Sequence, residues 1–195
     1  MRFSLARPVL VSVLAGVLLS GSALAAPVHY DIDGGHSMAV FKIRHMGVAN
    51  FYGRFNDVSG HYVVDQANPA ASKVSVVIKA DSVDTNSEKR DKHVKSPDFF
   101  DAIQFPTITF ESSSAKAIGG GDLELRGKLS LHGVTRDLII PVRFIGEGND
   151  PWGGYRSGYE GTFTIKRSDY GMNELQGPLG DEVTVIISLE GVKKK

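Results

Sequence analysis

Leu123-Glu124-Leu125-Arg126-Gly127-Lys128-Leu129-Ser130-Leu131 alternates apolar and polar residues, with a glycine in the middle of the apolar set. Successive side chains on a strand point to opposite sides, so the run predicts a strand with its leucines and Gly127 on one face. The pattern recurs along the chain. Phe51, Gly53 and Phe55 share a face, and so do Tyr155, Ser157, Tyr159, Gly161, Phe163 and Ile165. Val74, Val76, Ile78 and Ala80 repeat it, as do Leu138, Ile140, Val142 and Phe144, then Val183, Val185, Ile187 and Leu189. Strands are predicted over 36–45, 51–65, 73–81, 106–114, 121–132, 137–148, 155–167 and 181–192. Turn chemistry separates them, at Gly119-Gly120-Gly121, at Gly133, over Asp150 to Gly154, and at Gly177-Pro178. Short links imply antiparallel neighbours. The predicted fold is all-β, an eight-stranded antiparallel up-and-down barrel that leaves no free edge, with a two-sheet sandwich as the alternative.

One segment breaks the alternation. Thr85-Asn86-Ser87-Glu88 has capping-box spacing, with Thr85 at the N-cap and Glu88 reaching back to it. The polar run Lys89 to Lys95 follows, Pro97 ends it, and Phe99-Phe100 sit between Asp98 and Asp101. One or two short helices are predicted at 86–104, crossing an end of the barrel.

The first 25 residues read as a secretory leader. Arg2 and Arg7 precede the apolar run Val9 to Leu19, and Ala23-Leu24-Ala25 is a small-x-small cleavage site. The run is shorter than the roughly 20 apolar residues that span a bilayer. The mature protein is therefore expected to begin at Ala26, to be periplasmic, and to make no stable membrane insertion. Cleavage at that point leaves one domain, residues 26–195. Losing Arg2 and Arg7 leaves 20 basic residues against 22 acidic ones, a charge of −2, which argues against nucleic acid. The chain has no cysteine, so thiol chemistry and thiolate metal sites are excluded and the core must supply the stability.

Several segments, in order, resemble the YceI-like, polyisoprenoid-binding proteins of the bacterial periplasm. They are His36-Ser37 with Phe41 to Gly47; Gly53-Arg54-Phe55; Asp84-Thr85-Asn86 with Arg90 to His93; and Ser96 to Phe100. Pro106 with Ile108-Thr109-Phe110, Gly127-Lys128-Leu129, Leu131 to Thr135, and Arg167 to Met172 complete the set. The resemblance spans His36 to Leu189. It implies a lipocalin-like barrel whose pore holds an amphiphile with a long isoprenoid chain, and it implies no enzyme activity and no cofactor.

On the residues alone, a filled barrel and a hollow one are both open, because eight strands enclose just enough room for side chains or one small ligand. Glycines on the apolar face remove volume from that interior and favour a hollow; a bend or a close backbone approach is their other use. The expected pore lining is Phe41 and Ile43, Phe51, Gly53 and Phe55, Val76 and Ile78, Phe99 and Phe100, and Ile108 and Phe110. It continues with Gly127, Leu129 and Leu131, then Ile140, Val142 and Phe144, then Tyr159, Gly161 and Phe163. Arg90, Asp91 and His93 are candidate contacts to a polar head such as a quinone or phosphate, since residues three apart share a helix face. A merely solvated helix is the competing reading. Five of the six histidines, His36, His45, His61, His93 and His132, are dispersed and show no local ligand pair, so no metal site is expected. The expected function is a periplasmic carrier for a long-chain isoprenoid lipid or other long-chain amphiphile. An enzyme acting on a prenyl substrate in the same cavity is the alternative, and a homodimer stays open.

Overall fold

A computed structural model describes residues 26–195. The leader expected at 1–25 lies outside the described residues. Eleven strands form one sheet: β1 (Val28–Ile32), β2 (Met38–His45), β3 (Ala49–Phe55), β4 (Val58–Val64), β5 (Lys73–Lys79), β6 (Val83–Asp84), β7 (Thr107–Gly119), β8 (Asp122–Leu131), β9 (Val134–Asn149), β10 (Tyr155–Lys166) and β11 (Leu179–Lys193). Among the described residues the single α-helix is α1 (Glu88–Val94).

The eleven strands make eight staves, because the first three staves are each bent into two. β1 and β2 lie end to end along β11, with Ile32 opposite Gly191 and Met38 opposite Ser188. β3 and β4 pair with β2 and β1 in turn, and β6 and β5 pair with β3 and β4. β7 to β11 follow in sequence order, and β1 closes the ring on β11 with Tyr30 opposite Lys193. The result is the closed, antiparallel, up-and-down barrel expected from the alternation. β1, the segment that closes the ring, lies before the first expected strand, which starts at residue 36.

The alternation of β8 survives intact. Leu123, Leu125, Gly127, Leu129 and Leu131 are buried, while Arg126 and Lys128 are exposed. Outside, Lys128 Nζ pairs with Asp137 Oδ1 of β9 at 3.0 Å. The bends of the first staves fall at one level, around the fully enclosed Ala39, Val58 and Ala80. There the broken ladder is bridged by Asn56 N–H to Ser82 O (3.1 Å) and Lys79 N–H to Asp57 O (3.0 Å).

The barrel has two unlike ends. At one lie the β2–β3 hairpin, α1 with its following turns, the β8–β9 hairpin and the β10–β11 connection. The β8–β9 hairpin is a two-residue turn in which His132 (φ 50°) and Gly133 (φ 75°) are both left-handed, as the right-handed twist of the flanking strands requires. At the other end lie the β7–β8 hairpin, the β9–β10 loop and both ends of the described chain. We call these the mouth and the floor.

Candidate functional site

A cavity of about 290 Å³ occupies the mouth half of the barrel. Its walls are hydrocarbon from every side: Phe41 and Ile43, Phe51 and Phe55, Val76 and Ile78, Ile108 and Phe110, Leu129 and Leu131, Ile140 and Val142, and Phe163. Phe99 and Phe100, from the turns after α1, cover it. Phe100 stands edge-on to Phe55 (5.3 Å between ring centres) and to Phe41 (6.4 Å). Each of these fifteen residues was expected in the lining. The expected lining leaves out the strand at 181–192, whose Val183, Val185, Ile187 and Leu189 form a whole wall. Their alternation was visible in the sequence and was the signal that could have placed them.

The polar groups of the lining are few: His45, Thr85, Thr109, Arg90 and Arg167, with no carboxylate. Arg90 leaves α1 over the ring of Phe51, 4.4 Å from its centre. Its Nε donates to Thr85 Oγ1 (3.0 Å) and its Nη2 to Thr85 O (2.5 Å). Among the described residues Nη1 has no protein acceptor. Arg167 is buried, and donates to the carbonyls of Gly180, Met172, Glu174 and Leu179. It clasps the β10–β11 connection while its charge lies against the cavity, a lining role with no signal in the sequence.

The other candidate head-group residues point elsewhere. Asp91 Oδ1 accepts from the Thr85 N–H (2.7 Å) and hydroxyl (2.5 Å), so this carboxylate is spent on the loop. His93 is exposed, bonded to Asp98 Oδ2 at 3.1 Å and edge-on to Phe99, outside the cavity. Val94, four residues from Arg90, lines the cavity instead, since i and i+4 stack more closely on one helix face than i and i+3. The capping-box expectation fails for a related reason. Ser87, not Thr85, is the N-cap, and Thr85 is held by Asp91 rather than Glu88.

The glycines do not open the cavity. At Gly53 the tip of the Phe41 ring occupies the place where a Cβ would stand. At Gly127 the space is taken by the Glu111 carbonyl, Phe110 Cζ at 2.7 Å and Ser112 Cα at 2.8 Å, beside an irregularity in the β7–β8 register. At Gly161 the methyls of Ile140 and Val142 would stand 3.1 Å from a Cβ. All three serve close approach, the alternative use of an interior glycine. Phe144 and Tyr159 are also outside the lining.

These two rings belong to the floor. Tyr62 of β4 stacks on Tyr30 of β1 (5.0 Å, 22°) and meets Tyr159 of β10 edge-on (5.9 Å, 81°), and Tyr159 packs on Phe144 (5.3 Å). The Tyr62 hydroxyl is bonded to both the carbonyl and the Oγ of Ser157, each at 2.8 Å. Burial pushes the Tyr62 and Tyr159 hydroxyls up to about 12. The lining reaches down to this layer, at Val74 opposite Tyr62 and Leu189 opposite Tyr159, but includes none of its rings. The expected pore is therefore a pocket, blind at the floor. Beyond the aromatics, Arg156 Nη1 bonds Asp33 (2.7 Å) and Glu190 (2.5 Å), and its Nε bonds Asp150 (2.8 Å). Asp33, His36 and Glu190 are near enough to one another to hold a metal ion, but the guanidinium already fills that position. These contacts hold the Asp33 carboxyl at about 2, with Arg156 the largest cause and His36 the second.

The chain matches known proteins over most of its length. It is 46% identical over 182 residues to a UPF0312 protein of Ectopseudomonas mendocina, covering 93% of this chain and 95% of that one. Its fold superposes on BcnA of Burkholderia cenocepacia with a TM-score of 0.75 at 24% identity, over 82% of this chain and 99% of that one. It also superposes on a polyisoprenoid binding domain from Saccharophagus degradans, with a TM-score of 0.64 at 18% identity, over 85% and 98%. The family model for the YceI-like domain matches residues 30–191, from the ring-closing β1 to the end of the β11 wall. The chain belongs to the YceI-like family.

Proposed function

We propose that this protein binds a long-chain amphiphilic lipid of isoprenoid type in the periplasm and releases it unchanged. The observation that carries this reading is the cavity itself, hydrocarbon on every wall with its polar groups gathered at one end. Each methylene moved from water into such a lining contributes about 0.8 kcal/mol, so a long chain is retained without any polar contact. One protein of this fold is described as a polyisoprenoid binding domain. That likeness is one of fold, and the lining of this chain's own cavity supplies the chemistry.

The head of the ligand sits at the mouth, where Arg90 offers Nη1 and two guanidiniums face the cavity with no carboxylate among the lining residues. A hydrogen-bond acceptor such as a quinone carbonyl or a phosphate suits this end. Residues 1–25 carry the export signal. The test is organic extraction of protein isolated from the periplasmic fraction, followed by mass spectrometry. A lipid with an isoprenoid chain, displaced by added prenol and recovered intact, is the expected result. A protein without lipid that also fails to bind prenol would overturn the reading, and a chemically altered prenol would make the protein an enzyme.

A further inference from the structure

The floor aromatics reach across the lumen. Tyr62 starts on β4, yet its hydroxyl bonds Ser157 on β10, passing the two intervening staves β1 and β11. Its ring lies against the backbone of Gly191 on β11, where a Cβ would have no room. Tyr159 and Phe144 fill the same cross-section from β10 and β9. The two hydrogen bonds to Ser157 fix the plane of the Tyr62 ring, and edge-to-face packing fixes Tyr159 against it. The walls above are flexible aliphatic side chains, whereas this layer is stiff and tethered.

We infer that this aromatic layer sets the length of chain the cavity accepts, with Tyr62 and Tyr159 as the specificity-determining residues. The inference rests on the lipid-binding reading. From Ala39 to His45 the cavity follows six residues of β2. That is about 20 Å of strand at about 3.3 Å per residue, and a strand tilt of about 35–45° leaves about 15 Å along the barrel axis. An extended farnesyl chain fills such a depth. A geranylgeranyl chain exceeds it, and its surplus must remain at the mouth.

The test titrates geraniol, farnesol and geranylgeraniol against delipidated protein and against Tyr159→Ala, whose truncation leaves both Tyr62–Ser157 hydrogen bonds in place. For the unaltered protein, affinity should climb from geraniol to farnesol and level off at geranylgeraniol. In Tyr159→Ala the climb should continue, with geranylgeraniol gaining about tenfold or more over farnesol, the equivalent of roughly two further buried methylenes. Geraniol affinity should stay the same in both. Phe144→Ala, which opens the same layer from β9, gives the same readout should Tyr159→Ala fold poorly. A folded variant that levels off at the same chain length would overturn the inference. Absence of binding by the unaltered protein would instead overturn the lipid reading on which it rests.

Discussion

The mouth and the floor are two ends of one ladder, built from the same strands and finished in opposite ways. All five non-glycine residues with left-handed backbone among the described residues, Met46, Asn86, Asp101, His132 and Leu175, lie in mouth loops. Exposed apolar tips occur at both ends, Met46, Val48 and Ile103 at the mouth and Trp152 in the floor's β9–β10 loop, while α1 at the mouth buries none of its residues. The floor carries buried Tyr30 and Tyr62, a tethered hydroxyl and an arginine that joins β10 to three separate segments. Elements that admit ligands come from the weakly held part of a fold. On the proposed reading, a barrel that takes up an insoluble chain without falling open separates the two tasks along its axis.

Amide exchange should show the largest difference between the two ends. Local opening free energies run from about zero in mobile loops to the global value, about 5–15 kcal/mol, in core strands. Amides of residues 86–104 should exchange near the fast limit and slow on binding prenol, while those of Tyr62 and Ser157 should exchange only by global unfolding. Equal protection at both ends would erase the distinction.

Truncation should give the next largest effect. Tyr62→Ala removes a buried ring and leaves the Ser157 hydroxyl and carbonyl without their partner, and should cost about 3–5 kcal/mol in urea unfolding. Phe100→Ala, at the half-buried cover of the cavity, should cost less and weaken ligand binding more. A Phe100→Ala loss as large as that of Tyr62→Ala would show that the cover is part of the folding core.

Acid should give the smallest effect. The Asp33 carboxyl is held at about 2 against an ordinary 3.8, mainly by Arg156 and then by His36. A folded-state value below the unfolded one adds stability above 3.8 that disappears as pH falls towards 2. The urea midpoint should fall across that window, and less so in Asp33→Asn. An Asp33→Asn protein with an undiminished acid slope would assign the loss to other carboxylates.

Strand number, pairing sense and closure were legible because alternation reports which face of a strand is buried, and eight alternating runs became eight staves. The bends at 33–37, 56–57 and 80–82 were not legible, since a run of alternation reads the same across a kink. Val28-His29-Tyr30-Asp31-Ile32 alternates as the other strands do, so the signal for β1 was present, but it is only five residues long and is held as a strand between β4 and β11. Fifteen of the expected lining residues line the cavity, since facing inward is a property of the strand. Depth along the axis is a property of the assembled barrel, and so Tyr159 and Phe144 face inward yet lie in the floor. The glycines misled for a third reason: an absent side chain records that something comes close, and only tertiary structure tells whether that is a ligand or, as at Gly127, a neighbouring backbone. Asp91 and His93 do not line the cavity because Asp91 is held behind Thr85, which does, and His93 is held on the outside by Asp98.

The bent first stave has a consequence for how the chain comes to be folded. β1 and β2 both take β11 as a neighbour, in ladders such as Tyr30 with Lys193 and Phe41 with Val185. The earliest strands thus wait for the last one, across a separation close to the full length of the domain. Contacts so distant in sequence are slow to form, because loop closure must be paid for before any pairing rewards it. Until the final strand is available, the hydrocarbon wall of every other stave faces a gap. The cavity therefore comes into being in one late step, and a chain interrupted short of β11 has no partial barrel to offer a ligand.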